Sequence, residues 1–221
     1  MQLLDAIHNR QSTRAFLDRE VPAELITAVL DAARWTPSGV NMQPWRVAVV
    51  RGESKQRLGD AIIAARNSAQ AEKPDYQYYP DEWFEPYKSR RKATGLALYG
   101  ALGIGKEEKE RRIEAWYNNY RFFGAPVGLL IFLDRRLARG SWIDIGMFIQ
   151  NILLAAQEQD LATCPQASLA EYPDIVREIL GIDSQWALAC GIAIGYPDTG
   201  AAVNNYRTTR EPVEAFTSWH D

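Results

Sequence analysis

Three observations predict one domain that combines helices with a small set of buried strands. A chain of 221 residues buries about 70% of its unfolded surface at this size, so a full core forms without disulfide staples. Three continuous apolar runs, residues 47–50, 127–133 and 186–194, fit strands buried on both faces. Between them lie segments with helical apolar spacing, closed by proline and glycine. The composition is 47% hydrophobic and 24% charged, that of an ordinary globular protein. A net charge of −3 supplies no global attraction to nucleic acid or anionic lipid, so any anion site is local.

In chain order, Leu3, Leu4 and Ile7 read as one short amphipathic helix, followed at once by Arg10-Gln11-Ser12-Thr13-Arg14-Ala15-Phe16. Two guanidiniums and two hydroxyls within five residues suit a dianion. The guanidinium fork donates paired, charge-assisted hydrogen bonds, and hydroxyl and backbone N–H groups complete a cradle. The same stretch also reads as a solvated basic turn with Ser12 as a helix cap. Pro22 opens a helix carrying Leu25, Ile26, Val29, Leu30 and Ala33 to about Trp35. In residues 36–45, two prolines and a glycine fix a loop lined with hydroxyl and amide groups, set before the strand at 47–50, where ligand loops often lie. Residues 54–71 read as another helix.

Residues 74–91 change character: Tyr76, Tyr78, Tyr79, Trp83, Phe84 and Tyr87 stand among acidic residues and three prolines. A lid or pocket wall and an excursion packed on the surface both fit this density. Lys88, Arg90, Arg91 and Lys92 are offset by carboxylates, which argues against a nucleic-acid stacking platform. Gly100, Gly103 and Gly105 follow a helical pattern with G-x-x-G-x-G spacing. They fail the test for a dinucleotide loop and read as a helix end. Residues 106–120 form a charged, solvated helix, and Phe122 and Phe123 precede the strand at 127–133 as core. The helix at 141–159 has almost no polar face. It must be covered on all sides, which predicts a homodimer with isologous contacts built around it. A short strand at 162–164 leads to Pro165-Gln166-Ala167-Ser168, a helix at 173–180 and the strand at 186–194. The tail, residues 203–213, sets arginines beside hydroxyls with no amphipathic period, so it is either frayed or tied to something specific.

Cys164 and Cys190 read as buried free thiols of a reducing compartment. No signal peptide is expected at the start, and the apolar run at 142–156 falls short of the roughly 20 residues of a membrane span. A cytoplasmic location is therefore expected. His8 and His220 lie near opposite ends, no set has metal-ligand spacing, and no G-x-S-x-G elbow is present. What remains fits a protein that binds and orients a cofactor which itself carries the chemistry, with no catalytic side chain of its own.

Four motifs then stand together: R-x-S-x-R at 10–14, T-P-S-G-x-N-x-Q-P-W at 36–45, C-P-Q-A-S at 164–168, and G-Y-P-D followed by N-x-Y-R-T-x-R-E-P at 204–212. In this order the chain resembles the FMN-dependent nitroreductase family over nearly its whole length. Its Tyr/Trp-rich middle is similar to the nitrobenzoate-reductase-like branch. The resemblance implies an α+β fold, a mixed central β-sheet wrapped by helices, in an interlocked homodimer with one FMN in each of two interface sites. Residues 1–221 would form the single domain, with 74–105 as an aromatic-rich lid or excursion and 198–221 as an extension embracing the partner.

Carried across by motif, Arg10, Gln11, Ser12 and Arg14 would hold phosphate and the flavin's polar edge, with Arg14 near N1 or O2. Pro37, Ser38, Gly39 and Asn41 would approach from the other subunit; Gly39 stands where many relatives have a second serine, so a hydroxyl contact is lost there. Arg207 and Arg210 would close the phosphate site, and a backbone N–H around Pro165, Gln166 and Ala167 would face flavin N5. Tyr76, Trp83, Phe84 and Phe123 are candidates for a substrate pocket. The implied reaction is ping-pong, with NAD(P)H reducing FMN and a nitroaromatic or related electrophile then taking the electrons. A reductase or oxidase of another substrate class, such as enones, and a flavin-binding protein with little turnover remain alternatives.

Overall fold

The structure, a computed structural model, describes residues 2–220. Its centre is a sheet of β1 (Trp45–Arg51), β2 (Val127–Asp134), β3 (Ala162–Gln166) and β4 (Trp186–Gly195), ordered β1-β2-β4-β3 with every neighbouring pair antiparallel. The three apolar runs are thus β1, β2 and β4, and the two most apolar of them lie in the middle. Alternation along β2 sends Leu129, Ile131 and Leu133 to one face and Leu130 and Phe132 to the other, as the period of two requires. Parallel pairing enters at the β3 edge, where Ser12 bridges to Thr163 and the Thr13 N–H donates to the Thr163 carbonyl at 3.0 Å.

Helices cover both faces. On one side lie α2 (Ala23–Ala33) and α6 (Arg139–Glu158), whose buried Ile26, Val29, Ile145, Phe148 and Ile152 meet the odd-numbered residues of β2. Trp45 stacks on Phe148 with ring centroids 4.6 Å apart. On the other side lie α3 (Gly52–Asn67) and α7 (Pro173–Leu180), with Leu58, Ile62 and Val176 packed on Leu130 and Phe132. Gly59 is required in α3, because a Cβ there would sit 2.6 Å from the Tyr120 carbonyl oxygen. The remaining helices are α1 (Leu3–Asn9), α4 (Tyr87–Ala101) and α5 (Lys109–Tyr117). Gly103, left-handed at φ +63°, ends α4, as the glycine spacing predicts.

A β-bulge sets how the 74–86 segment is anchored. The β2–β4 register shifts between Ile131 and Phe132, where Cys190 and Leu188 are the partners and Ala189 is left over. A bulge leaves backbone groups outside the ladder, and here two consecutive residues satisfy them. Asp75 accepts the Leu188 N–H at 2.8 Å, and the Tyr76 hydroxyl donates to the Ala189 carbonyl at 2.6 Å. Asp75 also takes Arg177 at 2.6 Å and pairs with Arg135.

The expected all-round coverage of α6 is met on one side only within the chain. Ile143 of this helix is 68% exposed and Met147 is also open to solvent. Leu3 and Leu4 of α1, Trp35 just past α2 and Val40 are exposed as well. The tail is irregular apart from 310 turns at Ala202–Asn204 and Val213–Ala215, yet it is tied down, with Arg90 of α4 pairing with Glu211 at 3.1 Å. The extension expected over 198–221 is described to residue 220; Asp221 lies outside the described residues.

Candidate functional site

Two chain ends about 190 residues apart meet at the β3 edge. Arg10 follows the last residue of α1, and Ser12 to Phe16 run beside β3 and the end of β4, with Leu17 bonded to the Tyr196 carbonyl. The tail crosses over them. Arg207 donates to the carbonyls of His8 (2.9 Å) and Asn9 (2.8 Å), which are end groups of α1 that the helix itself cannot satisfy. Arg210 folds onto Thr208, 2.8 Å to its hydroxyl. Burial pushes the half-buried Arg10 guanidinium below its usual range, and Arg210 and Arg207 push it further the same way. Among the described residues no carboxylate forms an ion pair with Arg10, Arg14, Arg207 or Arg210. Clustered cations without a counter-ion are held at an energetic cost, and a phosphate dianion is the ligand chemistry that relieves it.

Arg14 is half-buried, its Nη1 3.1 Å from the Tyr206 hydroxyl and 3.2 Å from the Ser12 carbonyl, its guanidinium 6.0 Å from the Phe123 ring centroid. Behind it lies Cys164, a thiol whose pKa burial raises. Pro165 is exposed on β3, and Gln166 is buried with its amide N 2.5 Å from the Asn119 carbonyl. Three polar atoms nearby in sequence, Thr163 Oγ1, Gln166 Oε1 and Ser168 Oγ, are buried without a partner among the described residues. The residues that the motifs carried to the flavin phosphate and polar edge are thus brought together, and their donors fit FMN. Arg207 differs from expectation in detail: its fork is spent on the end of α1, so it places Arg10.

The 36–44 loop lies elsewhere, on α6. Asn151 donates to the Thr36 hydroxyl at 2.7 Å, and the Gly39 N–H reaches Asp144 at 3.3 Å. Val40, Asn41 and Gln43 are all left-handed, at φ +48°, +57° and +49°, a strain of about 1–3 kcal/mol per residue. Ser38 Oγ accepts the Gln43 N–H at 2.9 Å, which leaves its own proton free to donate. Pro37, Gly39 and Asn41 are exposed, and none of the four is hydrogen-bonded to residues 10–14.

Of the pocket candidates, Tyr76 has its hydroxyl on β4 and its ring 4.3 Å from Trp142. Trp83 is half-buried beside Tyr79, and Phe84 is exposed. Phe123 comes nearest the arginine cluster, and both it and Phe122 are left-handed, at φ +53° and +54°. Sequence reasoning missed Asn204 and Tyr206 as site residues, although the N-x-Y-R spacing marked them. Among the described residues no helix is long and apolar enough to cross a membrane.

Known proteins share this arrangement. A 4-nitrobenzoate reductase of Pseudomonas putida is 36% identical over 96% of this chain and 92% of its own. Another from Nocardioides sp. (strain LMS-CY) is 38% identical over 100% and 92%. The crystal structure of the FMN and NADPH-dependent nitroreductase NfnB from sphigopyxis sp. strain HMH matches with a TM-score of 0.97 at 37% identity, covering 100% of both chains. Residues 7–196 match the nitroreductase family, and with the paired ends, the strained loop and the C-P-Q-A-S edge in place, the chain belongs to that family.

Proposed function

We propose that this chain is an FMN-dependent oxidoreductase that uses NAD(P)H to reduce nitroaromatic or related electrophilic compounds. The observation that carries the reading is the uncompensated guanidinium cluster of Arg10 and Arg210, braced by Arg207, beside the Arg14–Pro165 edge. When bound, FMN supplies the redox chemistry, accepting hydride from the nicotinamide and delivering electrons to the substrate. The chain's own work is placement and electrostatics. Arg10 and Arg210 would hold the phosphate with Ser12 and Gln11 beside it, Arg14 would supply positive charge at the ring's polar edge, and a backbone N–H around Pro165, Gln166 and Ala167 would face N5.

The second half of the site comes from another copy of the chain. Pro37, Gly39 and Asn41 are exposed on a loop hydrogen-bonded to α6, whose Ile143 and Met147 are open to solvent too, and Leu3, Leu4 and Trp35 add further exposed apolar side chains. A surface of this kind marks an interaction face. An isologous homodimer would cover α6 and bring the hydroxyl-rich loop to its neighbour's arginines. Phe123 lines the substrate side, with Trp83 and Phe84 at its margin. The enzyme works in the cytoplasm, where its two free cysteines suit reducing conditions.

The test is spectroscopic. The purified protein should be yellow, lose its flavin absorbance on anaerobic NADPH or NADH addition, and regain it with 4-nitrobenzoate. A colourless protein that takes up no FMN sinks the reading; flavin that binds but never reoxidises with a nitroaromatic leaves the cofactor and removes the substrate class.

A further inference from the structure

Arg14 has the role most sensitive to placement, and the tail supplies its supports. Asn204 is 6% exposed and uses its whole side chain on the N-terminal stretch and the turn beside it. Its Oδ1 accepts the Arg14 backbone N–H at 2.7 Å, and its Nδ2 donates to the carbonyls of Ala15 and Asp198, both at 2.8 Å. The Asn204 carbonyl accepts Gln11 Nε2 at 2.6 Å. With both amide protons and its acceptor engaged, Asn204 has no donor left for a ligand, so it acts through the segment it holds. Tyr206, two residues on, places its hydroxyl 3.1 Å from Arg14 Nη1. The first residue fixes the backbone that carries Arg14, and the second fixes the direction of its guanidinium.

We infer that Asn204 and Tyr206 are positioning residues for the flavin site: Asn204 sets the path of residues 11–15, and Tyr206 aims Arg14 at the ring. The inference rests on the reading of Arg14 as the positive charge at the flavin's polar edge. A guanidinium held there favours the reduced, anionic ring over the oxidised one, whereas one free to swing away favours it less, because the Coulomb gain falls with distance and solvent exposure. The two residues therefore have separable signatures. Losing the Tyr206 hydroxyl alters the flavin's reduction potential while the phosphate contacts stay intact. Losing the Asn204 side-chain amide releases the Arg14 N–H and the Ala15 and Asp198 carbonyls together and affects both potential and retention.

The experiment compares wild type, Tyr206→Phe, Asn204→Ala and Arg14→Gln as FMN-loaded proteins, reading FMN dissociation constant, flavin midpoint potential and melting temperature. Tyr206→Phe is expected to keep FMN affinity within about threefold and to shift the potential to more negative values, in the direction of Arg14→Gln but by less. Asn204→Ala is expected to weaken FMN binding by about tenfold, the loss of one to two well-placed hydrogen bonds, and to shift the potential the same way. A wild-type potential in Tyr206→Phe overturns the aiming role, and a melting-temperature loss alone in Asn204→Ala reduces that residue to a structural tie. Tyr206→Phe removes one hydroxyl from a half-buried ring, so it decides the matter even if Asn204→Ala does not fold. If Arg14→Gln keeps the wild-type potential while FMN still binds, the placement of Arg14 falls and this inference with it; a wild type that takes up no FMN removes the functional reading itself.

Discussion

Two arginine clusters in this chain have opposite electrostatics. At the bulge in β4, the Arg177 side chain, 8% exposed, meets Asp75, 4% exposed, and Asp174, while Arg135 reaches the same Asp75 carboxylate. At the β3 edge, Arg10, Arg14, Arg207 and Arg210 are bonded to carbonyls and hydroxyls or left open, with no carboxylate in reach among the described residues. Burial pulls both Arg177 and Arg10 down; at Arg177 the hydrogen bonds and charges of Asp75 and Asp174 outweigh it and raise the pKa, whereas at Arg10 like charges add to it. A guanidinium with its own counter-ion is complete and serves the fold. One among other guanidiniums is incomplete and serves a ligand, so the presence of carboxylates separates the two roles better than the number of arginines does.

The largest expected effect breaks the complete cluster. Asp75→Ala leaves the buried Arg177 guanidinium only the exposed Asp174 as counter-ion and removes the acceptor for the Leu188 N–H at the bulge, and breaking a buried pair from one side costs about 3–5 kcal/mol. Urea unfolding should show that loss, with FMN affinity per folded molecule little changed. A loss under about 1 kcal/mol would mean that the node is no stronger than a surface pair.

Next comes the incomplete cluster, where the sign reverses. Arg10→Ala should leave the apo-protein as stable as wild type or slightly more so, since it relieves repulsion from Arg210 and Arg207. Its FMN dissociation constant should rise by about a hundredfold, the loss expected for a charge-assisted pair. Saturating FMN at a hundred times the dissociation constant stabilises the wild type by about 2.7 kcal/mol, a rise of roughly 5–10 °C in Tm for a chain of this length. Thermal melts with and without FMN read both quantities, and a destabilised apo-variant with normal FMN binding would place Arg10 with the structural arginines.

The two clusters were unequally legible in the sequence. Arg10, Ser12 and Arg14 stand within five residues, so local spacing reveals them, as alternation and apolar runs reveal β2, β4 and the buried stripe of α6. Asp75 gives no such signal: it stands among other acidic residues in an aromatic segment, and its meaning depends on Arg177 and on a bulge at Ala189, more than 100 residues away. Tyr76, a pocket candidate by its aromatic neighbours, likewise gives no local sign that its hydroxyl donates to the Ala189 carbonyl. Asn204 was visible as part of a motif but without a role, because its partners lie at the other end of the chain. Periodic and short-range features are written locally, whereas pairing across the fold is not.

A third arginine tests the boundary between the two clusters, with the smallest effect. Arg66 lies 2.9 Å from Glu72 and 3.5 Å from Glu171, and Glu171 also accepts the Tyr120 hydroxyl at 2.8 Å. Burial, with help from the like charge of Glu72, pushes the Glu171 carboxyl up against the opposing effects of the Tyr120 hydrogen bond and Arg66. A carboxyl with a raised folded-state pKa contributes stability that is fully present below its unfolded pKa and is lost as pH rises through the folded one. Between mildly acidic and neutral pH this site therefore subtracts stability. Glu171→Gln keeps an acceptor for Tyr120 and removes the charge, so its Tm should gain on wild type as pH rises through that window. Melting curves across that range decide it: if Glu171→Gln instead loses ground steadily towards neutral pH, the Arg66 pairing outweighs burial, and this node belongs with Asp75 as a complete cluster.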